Sequence, residues 1–157
     1  MRVRCLAREL TEEQREASSA PALFKPRYQI TEGRIYTVLG ISFFLNSSVF
    51  GKCCLYSIQD DAGRCVFIPN ALGEITDGRA SRFWIAKTDD DFNMTLWPEE
   101  FYQEFFHDRL SDAEPEAVDA FKRGCVDENS PLIFDWKFNL VTWPKDAIIP
   151  IKTPVVL

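Results

Sequence analysis

The sequence predicts an α+β protein that is mostly β: a small antiparallel barrel followed by two α-helices. Three observations carry the prediction. Short β-branched and aromatic runs recur between residues 2 and 97, separated by turn residues. Two of these runs flank Asp60-Asp61-Ala62-Gly63, a strong hairpin turn in which Gly63 suits positive φ. Beyond Trp97 the apolar residues recur at i,i+4 among many Asp and Glu. With 157 residues, 46% of them hydrophobic and 13% aromatic, the chain is long and apolar enough for one domain with a single core.

Arg2 to Leu6 alternates polar and apolar, like a half-buried strand. Residues 9–29 hold Glu-rich and Ser/Ala/Pro-rich pieces with Pro21 and Pro26, which reads as an exposed loop with a helical turn at 11–17. Ile30 to Phe44 opens on a Glu32-Gly33 turn and continues as a long strand. Lys52 to Gln59 is the next strand, and Cys65 to Pro69 returns from the hairpin. Pro69 has no amide donor, so it ends that strand or lies at an edge. Asn70 to Gly73 makes a short turn before Glu74 and Ile75. Arg82 to Lys87 and Phe92 to Trp97 read as two more strands, with Asp89-Asp90-Asp91 as the polar turn between them.

Pro98 fits a first helical turn, where a missing N–H costs nothing, and Glu99 and Glu100 complement the helix dipole. Phe101, Tyr102, Phe105, Phe106 and Leu110 then form an apolar stripe. A second helix has Asp112 or Glu114 as a cap, Pro115 in its first turn and Gly124 as a stop. Its apolar face is Ala117, Val118, Ala120 and Phe121. In the tail, Trp136, Phe138, Leu140 and Trp143 follow strand-like spacing, interrupted by Pro144, Pro150 and Pro154. The expected layout is one domain over 1–157: a barrel over 1–97, helices over 98–123 and an extension over 124–157. The sequence holds no internal repeat.

Charge is unevenly distributed. Residues 89–135 carry fourteen Asp or Glu against three Lys or Arg, a local balance of −11 within a chain of −6. Residues 1–52 carry eight basic side chains against five acidic. One strongly negative face predicts a cationic partner, either a basic protein or a protein that grips nucleic acid. A pI near 4.9 argues against direct contact with a phosphate backbone. Five cysteines, an odd number with no CxxC pair, suggest neither a disulfide framework nor a zinc site. Cys53 and Cys54 should point to opposite strand faces, one into the core and one outward. Met1 to Leu10 lacks the apolar stretch of a signal peptide, and the longest apolar run, Ile41 to Leu45, cannot span a bilayer. A reduced, cytoplasmic protein is expected.

The order of elements resembles a group of small bacterial proteins. Its marks here are Met1-Arg-Val-Arg-Cys5, Ile30-Thr-Glu-Gly-Arg-Ile-Tyr-Thr-Val38, Ile58-Gln-Asp-Asp-Ala-Gly63, Pro69-Asn-Ala-Leu-Gly-Glu-Ile75 and the stretch from Trp97 through Ala117. The resemblance covers residues 1–123. It implies an SH3-like barrel with appended helices. It also implies, for part of the group, immunity proteins that neutralise a toxin encoded next door. The stretch after Arg123 departs from the pattern.

The residues expected to meet a partner are Asp89, Asp90, Asp91, Glu99, Glu100, Tyr102, Glu104, Asp108, Asp112 and Glu116. On one helix Glu100, Glu104 and Asp108 would stack like charges at i,i+4, costing roughly 0.2–0.5 kcal/mol per pair unless a partner neutralises them. The plainer alternative is a solvated face that keeps an acidic protein soluble. Asp89 to Asp91 lacks the Gly and terminal Glu of a calcium loop, and a polar hairpin turn explains it better. His107, the single histidine, is expected at the helix surface beside Asp108. Phe83, Trp84, Phe92 and Trp97 are expected in the barrel core, since no basic groove accompanies them to stack bases. Arg79, Arg82 and Lys87 read as barrel surface. No phosphate-cradling loop, cofactor motif or nucleophile–base signature stands out. The expected function is a non-enzymatic immunity protein without cofactor or metal. Its acidic helices would steer a basic toxin, a nuclease or other effector domain, onto anchors near Tyr102, Trp136 and Trp143. The alternative is a nucleic-acid mimic whose carboxylates occupy a DNA- or RNA-binding groove.

Overall fold

A computed structural model describes residues 1–18, 26–47 and 51–125. Within these residues seven strands run as β1 (Arg2–Cys5), β2 (Ile35–Ser47), β3 (Gly51–Gln59), β4 (Cys65–Pro69), β5 (Gly73–Asp77), β6 (Trp84–Thr88) and β7 (Met94–Pro98). Three helices join them: α1 (Glu12–Ser18), α2 (Phe106–Ser111) and α3 (Pro115–Cys125). Asn70–Leu72 and Glu99–Tyr102 are 3-10 turns.

The long strand β2 organises the sheet. One of its edges pairs with β3, which carries β4. Its other edge is divided. Residues Ile35 to Thr37 pair with β1 and so with β5, while Ile41 to Phe43 pair with β7 and so with β6. All pairings are antiparallel. The fold is therefore α+β and mostly β, as the sequence predicts. The sheet is open and not a closed barrel, because β4, β5 and β6 each have one neighbour among the described residues. Two branches leave successive stretches of the same β2 edge, and among the described residues no pairing joins their outer strands.

Turn chemistry explains the hairpins. Gly33 and Gly63 sit at φ 80° and 81° in the turns expected for them. The Asp60 carboxylate accepts the Ala62 and Arg64 amides at 3.0 and 2.9 Å and faces the Arg64 guanidinium at 2.7 Å. Asp61 accepts from Thr31, Arg34 and Tyr36 at 2.6 to 2.7 Å, which ties this hairpin to the start of β2. Pro69 ends β4 at a sheet edge, where its missing amide leaves no ladder bond unmade.

Alternation along β2 sends Val38 and Leu39 into opposite cores, and a register shift between Val38 and Gly40 returns Ile41 to the Val38 face. Val38, Ile41, Tyr56, Ile58, Val66 and Ile68 bury one sheet face with Val3, Ile30 and Leu72. Leu39 and Trp97 bury the other face against Phe101, Phe106, Leu110, Ala117, Ala120 and Phe121 of the helical layer. At Gly40 an added Cβ would lie 2.6 Å from Cδ1 of Trp97 and 3.1 Å from the Leu96 carbonyl oxygen. Both belong to a packed core, so neither yields freely. Gly40→Ala is expected to cost about 1–3 kcal/mol by overpacking. A urea midpoint equal to that of the wild type would show that Trp97 gives way freely.

The segment after Pro98 departs from the sequence reading. The continuous helix expected from Pro98 to Leu110 is a 3-10 turn over Glu99–Tyr102, an extended Gln103, and Phe105 at φ 53° leading into the six-residue α2. Phe105 is thrown out of the expected stripe, while Phe106 keeps its place there and stacks on Phe101 at 4.8 Å. Crowded aromatics with modest helix propensity favour this broken path. α3 follows expectation more closely, with Pro115 in its first turn and Ala117, Ala120 and Phe121 buried. Asp112 closes the end of α2 and does not begin α3.

Two smaller expectations also change, and a third holds. Cys53 and Cys54 are both half-buried, because each strand face packs partly there. Phe83 and Phe92 lie in the turns before β6 and β7 and are exposed, so of the four expected core aromatics Trp97 alone is fully buried. The helical turn at 11–17 is α1, where Thr11 and Gln14 exchange backbone and side-chain bonds in a capping box. The strand-like spacing of Trp136, Phe138, Leu140 and Trp143 lies outside the described residues.

Candidate functional site

The acidic residues are spread over one continuous stretch of chain. Asp89, Asp90 and Asp91 form the β6–β7 turn. Glu99 and Glu100 sit on the second 3-10 turn, Glu104 on the link to α2, Asp108 on α2, Asp112 at its end and Glu116 on α3. Several of these carboxylates are already occupied. Asp89 accepts the amides of Asp91 and Asn93 at 3.0 and 2.9 Å and the Asn93 side-chain amide at 2.9 Å, so it builds the turn. Glu116 shares Arg109 with Glu114, at 3.1 and 2.7 Å. Asp90, Asp91, Glu99, Glu100, Glu104, Asp108 and Asp112 have no cationic neighbour among the described residues. The broken helix removes the expected i,i+4 row of Glu100, Glu104 and Asp108, so these three do not stack on one helix face.

Two large aromatics stand inside this acidic stretch with almost nothing covering them. Phe92 is 79% exposed at φ 59°, directly after the Asp89–Asp91 turn. Phe105 is 66% exposed at φ 53°, directly after Glu104. A bulky side chain in the left-handed region is strained, by on the order of 1 kcal/mol or more per residue. The strain is not repaid by burial at either position. Phe92 also adjoins an apolar patch at the end of the sheet, since Phe43 pairs with Met94, and Leu45 donates its amide to Asn93 at 3.0 Å. Phe43 and Leu45 are themselves exposed. No residue in the sequence marks these backbone conformations, because glycine or asparagine would be the usual occupant.

Tyr102 lies beneath the β6–β7 hairpin. Its hydroxyl is 2.8 Å from the Ile85 carbonyl and 2.9 Å from the Thr95 hydroxyl, and Lys87 Nζ stands 4.0 Å from its ring centre. Its ring packs against Trp97 at 5.3 Å. Lys87, expected as plain barrel surface, thus belongs to the joint between hairpin and helical layer.

His107 is not a surface residue. Its ring meets Trp97 and Phe67 at 5.1 Å, Phe106 at 5.3 Å and Phe101 at 5.9 Å, all near edge-on. Nε2 is sealed from solvent without a hydrogen-bond partner, although other atoms of the residue keep some exposure. Burial pushes the imidazole down to about 4. The thiols shift the other way: burial pushes Cys53 up to about 12, and Cys54 and Cys65 up to about 11. At neutral pH these groups are therefore a neutral imidazole and protonated thiols, poor as acid, base or nucleophile.

Among the described residues no three His, Cys, Asp or Glu side chains are placed to share a metal ion. None of the described helices is long and apolar enough to cross a membrane. Fold and face together define a broad class, an α+β protein whose mostly β sheet is covered on one side by short helices, with carboxylates that lack an ion pair among the described residues and two exposed phenylalanines on its turns and links. No protein-family model, curated protein or solved structure matches the chain.

Proposed function

We propose that this protein is a non-enzymatic immunity protein that binds a basic bacterial toxin domain in the cytoplasm and covers its working surface. The observation that carries this reading is the pair Phe92 and Phe105, exposed, held at positive φ and set among unpaired carboxylates. Exposed aromatics at strained positions are what a binding surface needs, rigid anchors with charge around them. Asp90, Asp91, Glu99, Glu104 and Asp112 would steer a cationic partner, and the phenylalanines would hold it. The finer fold reading, an SH3-like barrel, belongs to the same proposal. One long strand serving two branches of a small sheet supports it. The high thiol and low imidazole values support a binding role over nucleophilic catalysis.

The test begins with capture of the tagged protein from its native cells, and continues with variants on the partner recovered. Phe92→Gly and Phe105→Gly should each raise stability slightly, by up to ~1 kcal/mol, because strain is relieved where little burial is lost. The same changes should speed dissociation, costing about 2 kcal/mol or more of affinity at a true anchor. Glu99→Lys with Glu104→Lys should slow association at least tenfold at low salt and flatten its salt dependence. If neither pair affects binding, the face is solvated surface. A captured nucleic-acid-binding protein released by competing duplex would move the reading to a nucleic-acid mimic.

A further inference from the structure

A cleft of about 280 Å³ opens between α1, the start of β3 and the turn after β4. Leu10, Pro69 and Ala71 are among its apolar walls, and its polar lining includes Tyr28, Cys53, Lys52 and Arg15, the last already paired with Glu12. It lies on the basic half of the chain, away in sequence from the acidic stretch.

Four observations make this corner unusual. Tyr28 Oη is sealed from solvent and has no hydrogen-bond partner. Arg8, whose carbonyl accepts the Tyr28 amide at 2.9 Å, also has a sealed and unpartnered Nε. Buried polar groups without partners are uncommon in folded proteins and call for an explanation. The helix above them is weakly anchored, since α1 has seven residues and buries none of them. It is held at its start by the Thr11–Gln14 capping box and by Arg15, whose guanidinium reaches the Leu10 carbonyl at 3.0 Å and Glu12 at 2.7 Å. No residue of α1 is fully buried, although the Arg15 side chain is mostly covered, so few apolar contacts resist a shift of the helix. Lys52 is exposed and has no acidic partner among the described residues.

We propose that this cleft binds a small organic acid with an apolar body. The carboxylate would face Lys52, the body would lie on Leu10, Pro69 and Ala71, and a far hydroxyl or carbonyl would reach Tyr28 as α1 shifts. The volume suits a single-ring molecule, at the small end of ligand pockets. One charged contact and one hydrogen bond on apolar walls is the usual division between orientation and affinity in such sites. Cys53 stays protonated at neutral pH, so the ligand is held without a covalent bond. The inference is independent of the toxin-binding reading, because it uses none of the same residues.

The test is titration of the ¹⁵N-labelled full chain with 4-hydroxybenzoate, benzoate and phenol, followed by NMR. Saturable shifts at the Leu10, Lys52, Cys53 and Ala71 amides are expected, with 4-hydroxybenzoate binding most tightly. Tyr28→Phe should erase the two- to tenfold preference for 4-hydroxybenzoate over benzoate that one hydrogen bond supplies. Lys52→Met, at an exposed position without an ion pair among the described residues, should weaken both acids and leave phenol unchanged. No saturable shift up to millimolar acid would overturn the site. Equal binding of all three probes, unchanged in Lys52→Met, would also overturn it by showing an unspecific apolar groove.

Discussion

Trp97→Ala is expected to lower stability by about 3–5 kcal/mol, the range for removing a large buried aromatic. The ring is the joint between the sheet and the helical layer. It lies 6.1 Å from Phe67, 5.3 Å from Tyr102 and 5.1 Å from His107. Its Nε1 donates to the buried Ser42 hydroxyl at 3.1 Å. Alanine leaves a cavity on the β7 face and an unpartnered hydroxyl beneath it, and both costs add. Trp97→Phe keeps most of the ring and should lose about 1–2 kcal/mol, chiefly the hydrogen bond. The core on the other sheet face touches none of this. Amide exchange should therefore accelerate first in α2 and α3, while β1, β2 and β3 keep their protection. Urea titration of both variants gives the numbers. A loss below about 1 kcal/mol for alanine, at the level of an ordinary surface change, would mean the helical layer is only loosely attached.

Acidification should destabilise the protein through His107, between roughly pH 6.5 and pH 4. The imidazole falls from its ordinary 6.5 to about 4 when folded, because its aromatic surroundings cannot solvate a charge. In that window the unfolded chain binds a proton that the folded chain does not. Stability is complete above pH 6.5, declines as pH falls towards 4, and loses no more from this group below 4. The full effect is on the order of 2–3 kcal/mol, at 1.36 kcal/mol per pH unit and with some relief from the exposed part of the residue. His107→Leu should remove this slope and be the more stable protein at pH 5, since it also deletes the unpartnered Nε2. Denaturation midpoints for both proteins across the window separate this contribution from carboxylate titration, which the two share. Parallel curves would refute the assignment.

The same residue shows where the sequence stops being readable. His107 next to Asp108 looks like a polar helix surface if the chain runs as one helix from Pro98. Its true surroundings depend on a break at Gln103 and Phe105, which turns the helical phase so that Phe106 stays in the core while Phe105 leaves it. The i,i+4 rule holds only inside a continuous helix, and nothing local announces the break. Strands and turns were far more legible. The Glu32-Gly33 and Asp60 to Gly63 turns, the end of β4 at Pro69 and the alternation of β1 all follow from backbone restrictions that single residues impose. The boundaries of β6 and β7 each begin two residues later than expected, which placed Phe83 and Phe92 in the turns. For the candidate face, the sequence located the acidic stretch. It could not show that Asp89 and Glu116 are occupied, or that two phenylalanines are offered at positive φ. Ion pairs across turns and backbone dihedrals depend on three-dimensional placement, which composition does not encode.

The position of β1 has a kinetic consequence. It is an interior strand, hydrogen-bonded to β2 on one side and to β5 on the other. Arg4 meets Glu74, seventy positions further along the sequence. During synthesis, β1 can recruit β2 early, but its second edge stays bare until β5 has left the ribosome. Over that interval the nascent chain carries an unpaired, half-apolar edge beside Val3 and Cys5, the kind of edge that captures neighbouring chains. Closing so long a loop also slows the final step. Yield from cells should therefore respond more to changes in β5 that delay this pairing than to changes of equal thermodynamic cost in α3.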